Sequence, residues 1–253
     1  MLKLKLTKLG EVIEMLGDNI FTIGDSSIVG ITEDMPGVRT WVFDPPYNIG
    51  YDYGGVITDR SKTYESEIRA MAANMKFNSK ANANMFLVIY PAIASRLLPV
   101  IENAGWSLKQ WITWVYPSNI GMSSKKCTTA SRAILWFTIG EPATYMKADQ
   151  QPYKNPNDKR IKERIANGSM GVNFYDWWEI NLRKNVSKGF KGYFNQLPTE
   201  LVKRMILLTT KEGEWVGDIT AGAGTTWEVA KELGRSCWLN DLNPECMDIW
   251  RVI

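Results

Sequence analysis

Two short stretches of the chain carry residue types whose spacing can do chemistry. The first is Asp44-Pro45-Pro46-Tyr47, followed by Asn48. Asp44 can accept a hydrogen bond from an amino group. The rigid Pro-Pro backbone aims a carbonyl, that of Pro45 or Pro46, at the same group, and Tyr47 offers an aromatic face to a flat ring. Two acceptors and a stacking surface describe a pocket for an exocyclic amine on a heteroaromatic base. A proline turn after a strand would explain any one of these residues alone. The second stretch is the glycine-rich turn at 218–226, where Gly222 and Gly224 permit tight curvature and close approach of a ligand. The helix expected after it offers free N–H groups at its N-terminus. Asp218 stands before the turn. Asp241 lies at the end of the next strand candidate, where a carboxylate can accept both hydroxyls of a ribose. Together they describe a site for a nucleoside-containing cofactor. The Gly-Lys-Ser/Thr of a P-loop is missing, and Trp227 stands where a dinucleotide fingerprint wants Gly or Ala.

These residues need elements to hold them. Arg39–Phe43 reads as a buried strand that two prolines must end, leaving Asp44 at its carboxyl terminus. Residues 63–77 read as a helix, 85–90 as a buried strand and 93–103 as a helix. Residues 111–116 and 133–138 are two further strands. Helical spacing resumes over 198–208, and a compact β-turn-α-β unit follows at 214–241. The alternation predicts an α/β fold, a mostly parallel, doubly wound sheet with helices on both faces. Residues 141–193 break the rhythm and read as an insertion of loops and short elements.

Composition narrows the field. With 253 residues, 45% hydrophobic and 23% charged, the chain suits one α/β domain with a modest insertion. There is no histidine, which removes Ser-His-Asp and Cys-His nucleophilic catalysis. The three cysteines, Cys127, Cys237 and Cys246, form no CxxC pair, so no metal is expected. No apolar run is long enough to span a bilayer, and MLKLKLTKLG lacks the apolar region of a signal peptide. We therefore expect a cytoplasmic protein without a membrane partner, as a monomer or homodimer. The net charge of +3 is unevenly spread. Residues 147–192 hold ten Lys/Arg against five Asp/Glu, which suggests a polyanion partner.

The Asp-Pro-Pro-Tyr-Asn run, with a downstream Asp-x-x-x-Gly-x-Gly-Thr-Thr, resembles the amino-group DNA methyltransferases that make N6-methyladenine or N4-methylcytosine. The catalytic motif precedes the cofactor loop, which resembles the β group, where a target-recognition region lies between the two. The resemblance runs from about residue 20 to 247. It implies a Rossmann-like methyltransferase fold, with 1–140 and 194–253 as the catalytic and cofactor-binding domain and 141–193 as the recognition insertion. It implies S-adenosylmethionine as cofactor, held by Asp25, Gln196, Leu197, Pro198, Asp218, Thr220, Gly222, Gly224, Thr225 and Asp241. Asp44, Pro45, Pro46 and Tyr47 would be catalytic. It implies DNA as partner, with phosphate contacts from Lys154, Arg160, Lys162, Arg164, Arg183, Lys184, Lys188 and Lys191. The aromatics Phe174, Tyr175, Trp177 and Trp178 suit core packing better than base stacking. Asp at the head of the tetrapeptide leans to adenine N6, with cytosine N4 as the alternative. The chain departs from the family at Ile219, Thr220 and Ala223, which replace Pro, Phe and Ser. Tyr116 stands for a usual lysine, and Ser131-Arg132 for a usual His-Glu. Enzymes that methylate an RNA base or a protein amide use a related pocket but place the cofactor loop first. A non-catalytic nucleic-acid-binding module on the same fold is a third reading.

Overall fold

The structure is a computed structural model. It describes residues 3–6, 12–30, 37–50, 59–118, 121, 124–145, 151–183 and 196–253. Strands β1 (Lys3–Leu6), β2 (Val12–Leu16) and β3 (Asn19–Ile23) form an antiparallel meander. Next come β4 (Val38–Phe43), α1 (Tyr64–Phe77), β5 (Ser79–Ile89) and α2 (Pro91–Asn103). Strands β6 (Ser107–Val115) and β7 (Ser131–Ile139) follow, with no helix between them among the described residues. The middle segment supplies α3 (Lys159–Ala166) and β8 (Trp177–Glu179). The chain ends with α4 (Thr199–Thr209), β9 (Trp215–Asp218), α5 (Thr225–Glu232), β10 (Ser236–Asp241) and α6 (Glu245–Val252).

All strands join one sheet in the order β1-β2-β3-β10-β9-β4-β5-β7-β6-β8. The five central strands, β3 to β5 in that order, are parallel. The flanks depart from the expected parallel alternation. β7 runs antiparallel between β5 and β6, as a connection without a crossover helix requires. β8 pairs parallel with β6 at the edge, so part of the expected insertion extends the central sheet.

Period-two alternation explains why the sheet is covered on both faces. Trp41 and Phe43 of β4 pack with Ile68, Ala72 and Met75 of α1 and Leu97 of α2. Val42, between them in sequence, packs with Leu201, Met205 and Ile206 of α4. Met85 through Ile89 of β5 are all fully buried and divide between the same two layers. Burial of such side chains supplies about 1.5–3 kcal/mol each before the ordering cost. Trp178 and Ile180 complete the α4 layer, while Trp177 and Tyr175 stack on each other, ring centroids 5.8 Å apart. The reading of these aromatics as core thus holds for Trp178 and fails for Tyr175, which is 37% exposed. A third layer gathers Phe21, Trp227, Cys237, Leu239 and Trp250, which explains the bulky residue at 227.

Gly217 in β9 pairs with Trp41 on one side and Trp238 on the other. The two indoles meet edge to face, centroids 5.4 Å apart. A methyl group at 217 would lie 2.3 Å from the Trp41 ring. Gly217→Ala is therefore expected to cost about 1–3 kcal/mol by overpacking. Urea denaturation checks this; an unchanged midpoint would show that the indoles yield freely.

Candidate active site

β4 and β9 are neighbours at the point where the chain switches from building one side of the sheet to the other. Ligands bind at the carboxyl ends of strands at such a point. Here Asp44 directly follows the last residue of β4, while β9 ends at Asp218 and β10 at Asp241. The strand ends open into a cavity of about 790 Å³, lined by both sequence motifs.

On the β4 side, Tyr47 Oη donates to Asp44 Oδ1 at 2.6 Å. Tyr64 Oη donates to the Pro46 carbonyl at 2.7 Å. The turn continues through Asn48, whose φ of +58° is left-handed. Asn48 is held there by reciprocal bonds with Ser61 and by its N–H on Asp59 Oδ1. Burial pushes the Asp44 carboxyl up to about 6, while the Arg132 charge and the Tyr47 hydroxyl hold it down. The Arg132 guanidinium lies over the Tyr47 ring, 5.2 Å from its centroid. Tyr47 is 9% exposed, so its ring is a wall of the cavity rather than an open platform.

On the β9 side, Asp218 organises the glycine turn. Its Oδ1 accepts from Thr220 N at 3.0 Å and its Oδ2 from Thr226 Oγ1 at 2.6 Å. Gly222 N donates to Asp241 Oδ2 at 2.8 Å, and Trp250 Nε1 donates to the Gly222 carbonyl. Gly224 has φ +79° and heads α5. A side chain there would strike Trp250, 2.6 Å away. Asn240 ties in the β3 exit, its Nδ2 donating to the Gly24 carbonyl and Ser26 Oγ. Asp25 beside them is exposed and accepts from Ser27. Thr220 Oγ1 is buried at the cavity wall without a hydrogen-bond partner among the described residues. An orphaned buried hydroxyl is costly unless a ligand atom completes it.

The cavity brings together Asp25, Asp44, Pro45, Pro46, Tyr47, Gln196, Leu197, Asp218, Thr220, Gly222, Thr225 and Asp241. Two expected residues stand apart from its lining: Gly224, which shapes the turn from behind, and Pro198, which caps α4. Among the expected phosphate contacts, Arg160, Lys162 and Arg164 lie on α3, which buries none of its residues. Lys154 Nζ lies 4.5 Å from the Trp177 ring centroid, and Arg183 is paired with Glu228 of α5 at 2.9 Å. Lys184, Lys188 and Lys191 lie outside the described residues. No group of residues suited to hold a metal occurs among the described residues, and no helix among them is long and apolar enough to cross a membrane. Sequence reasoning missed Tyr64, Asn240 and Arg132 as parts of the site. Only Arg132 carried a signal, as an odd residue at a family position.

Comparison with known proteins agrees with this geometry. The profile of the N6/N4 family described as DNA methylase matches residues 38–251. The type II methyltransferase M.HpaI of Haemophilus parainfluenzae is 27% identical over 216 residues, covering 82% of this chain and 65% of that protein. The type II methyltransferase M.BglII of Bacillus subtilis is 30% identical over 160 residues, covering 61% of this chain and 44% of that protein. The chain therefore spans less than two thirds of the length of either relative. Among solved structures, the PvuII DNA methyltransferase, titled cytosine-N4-specific, superposes with a TM-score of 0.68 at 16% identity, covering 91% of this chain and 84% of that one. The M1.HpyAVI–SAM complex gives 0.62 at 15% identity, covering 85% and 88%. These two likenesses show the fold.

The three buried carboxylates repel one another, and this has a measurable consequence. Burial, reinforced by Asp44 and Asp241, raises Asp218 to about 7, against the pull of Thr226 and Thr220. Burial also raises Asp241. A group raised on folding lends stability at low pH and withdraws it as pH rises through its folded value. Between pH 5 and 8 the Asp218 ionisation should therefore cost about 3 kcal/mol. Asp218→Asn removes that cost, so the variant should gain on the wild type across this window. Parallel denaturant titrations at pH 5 and pH 8 check it; a gap that stays constant or narrows would show that Asp218 is already ionised at pH 5.

Proposed function

The chain belongs to the N6/N4 DNA methylase family, and from that premise we propose that it transfers a methyl group from S-adenosylmethionine to the exocyclic amine of a base flipped out of DNA. The observation that carries the reading is the convergence of Asp44–Tyr47 and the 218–226 turn on one cavity, although the two lie far apart in sequence.

Bound S-adenosylmethionine supplies a methyl group on a positively charged sulfur. The residues present fit it. Thr220 Oγ1 has an unused hydrogen-bonding capacity, and Gly222 brings bare backbone to the cavity wall. Asp241 lines the cavity at the end of β10, where a ribose would lie, and is held there by bonds from the Gly222, Leu242 and Asn243 N–H groups and from Cys246. Gln196 and Leu197 close the cavity from the start of α4.

An adenine N6 or cytosine N4 is a weak nucleophile because its lone pair is delocalised into the ring. Asp44 has Oδ1 committed to Tyr47, so Oδ2 is the oxygen to accept one amine hydrogen. The Pro46 carbonyl already accepts from Tyr64, which favours the Pro45 carbonyl for the other. Two such bonds favour a pyramidal nitrogen and face the positive charge that develops on it. Transfer is direct, so neither a cysteine nor a histidine is needed, and the acceleration comes from positioning and preorganised acceptors. With its carboxyl near 6, Asp44 is ionised at neutral pH and able to accept. The exposed basic face of α3, with Lys154, is the proposed phosphate contact. Adenine N6 is the favoured acceptor, since Asp heads the tetrapeptide.

Asp44→Ala should still bind S-adenosylmethionine by calorimetry but lose methyl transfer by at least about a hundredfold, the scale of removing a preorganised polar group. Mass spectrometry of nucleosides from treated DNA should show N6-methyladenine. N4-methylcytosine alone would move the base assignment, and full activity of Asp44→Ala would refute the mechanism.

A further inference from the structure

Arg132 opens β7 and is 8% exposed. Its guanidinium carbon lies 5.2 Å from the centroid of Tyr47, 5.0 Å from Tyr90, 5.5 Å from Trp114 and 5.5 Å from Tyr116. Four rings from three different parts of the chain thus surround one cation. Its Nε is buried without a hydrogen-bond partner among the described residues, and Nη2 reaches only Tyr90 Oη, at 3.5 Å. A buried guanidinium so poorly hydrogen-bonded is expensive, and aromatic faces recover only part of its lost hydration. Packing alone would be served better by an apolar residue.

The surroundings say what the charge is for. Tyr47 lies between Arg132 and Asp44, its ring against the guanidinium and its hydroxyl on Asp44 Oδ1. Tyr90 meets Tyr47 edge to face, centroids 5.2 Å apart. We propose that Arg132 is the positioning residue of the transfer site, a caged cation that fixes the Tyr47 ring and holds the Asp44 carboxylate in its hydrogen-accepting state. It acts through Asp44 and needs no contact with the methyl donor or the base.

The titration of Asp44 provides the readout. Burial raises its carboxyl, and the Arg132 charge is the largest opposing influence. The other titratable groups facing this pair are Tyr47, Tyr90 and Tyr116, with Asp218 and then Asp241 beyond Asp44. Removing the Arg132 charge leaves burial less opposed, so the Asp44 midpoint must move up. Methyl transfer needs the carboxylate, so the acid limb of its rate must move up with it.

The consequence for transfer rests on the function proposed above, but the primary measurement does not. Carbon-13 NMR of the full chain labelled at aspartate carboxyls, without DNA or S-adenosylmethionine, follows Asp44, assigned by its loss in Asp44→Asn. The wild type should titrate near 6, Arg132→Gln at least about one pH unit higher, and Arg132→Lys close to the wild type. Should Arg132→Gln not fold, Arg132→Lys decides against Arg132→Met on the same reading. In transfer assays at pH 6, Arg132→Gln should lose at least about fivefold in kcat and recover at pH 9, with KM for S-adenosylmethionine unchanged. A wild-type chain that transfers no methyl would defeat the function while the carboxyl titration still tested Arg132. An Asp44 midpoint that does not move in the uncharged variants, or that moves equally in Arg132→Lys, would overturn the proposal.

Discussion

The parallel pairing of β4 with β9 is the constraint on which the site depends. Thr40 and Trp41 lie opposite Val216 and Gly217, so the two strands end together and deliver Asp44 and Asp218 to the same buried rim. β10 adds Asp241 one strand further on. Three carboxylates in one low-dielectric cleft would be untenable without partners. The surrounding structure can be understood as the supply of those partners. Thr226 and the Thr220 N–H serve Asp218, the Gly222 and Asn243 N–H groups serve Asp241, and Tyr47 with Arg132 serves Asp44. A cationic ligand drawn to this rim would meet an excess of negative charge already organised to receive it.

Close contact at this rim makes demands on the layers behind it. The strands approach because Gly217 leaves room for Trp41 and Trp238 to meet across it. The glycine turn keeps its shape because Trp250 of α6 fills the space a side chain at 224 would need and also hydrogen-bonds Gly222. Asn240 closes the gap to the β3 exit, so the antiparallel N-terminal strands are fastened to the cofactor side of the cleft. Core packing and site geometry are thus the same set of contacts seen from two sides.

Much of this was legible in the sequence, and the reasons are local. Arg39–Phe43 running into two prolines fixes a strand end, and the glycine turn between an apolar strand and a helix fixes another. The alternation of strand and helix patterns then implied the α/β fold, and the order of the motifs the resemblance to the β group. What escaped was set by tertiary pairing. Nothing local marks Trp177–Glu179 as an edge strand, because it gains that state only by pairing with β6. Residues 12–23 show alternation, but their antiparallel meander on β10 depends on partners at the far end of the chain. Pro198 matches a family position yet serves as the cap of α4 and not as cavity wall. Arg132 looked like a simple departure, since its cage brings Tyr47 and Tyr90 to the Trp114 and Tyr116 pair at the end of β6, and no sequence spacing connects those three places.

The central claim is that two motifs distant in sequence form one cleft for one cofactor. Hydrogen exchange of the intact chain, with and without saturating S-adenosylmethionine, tests it most directly. The account predicts slowed exchange at three separate stretches together: around Ser26 and Ser27, through Thr220–Thr226, and at Leu242–Asn243 beyond Asp241. It also predicts protection of the Tyr47 and Asn48 amides across the cleft. No protection at saturating cofactor, or protection confined to a surface away from these strand ends, would contradict it.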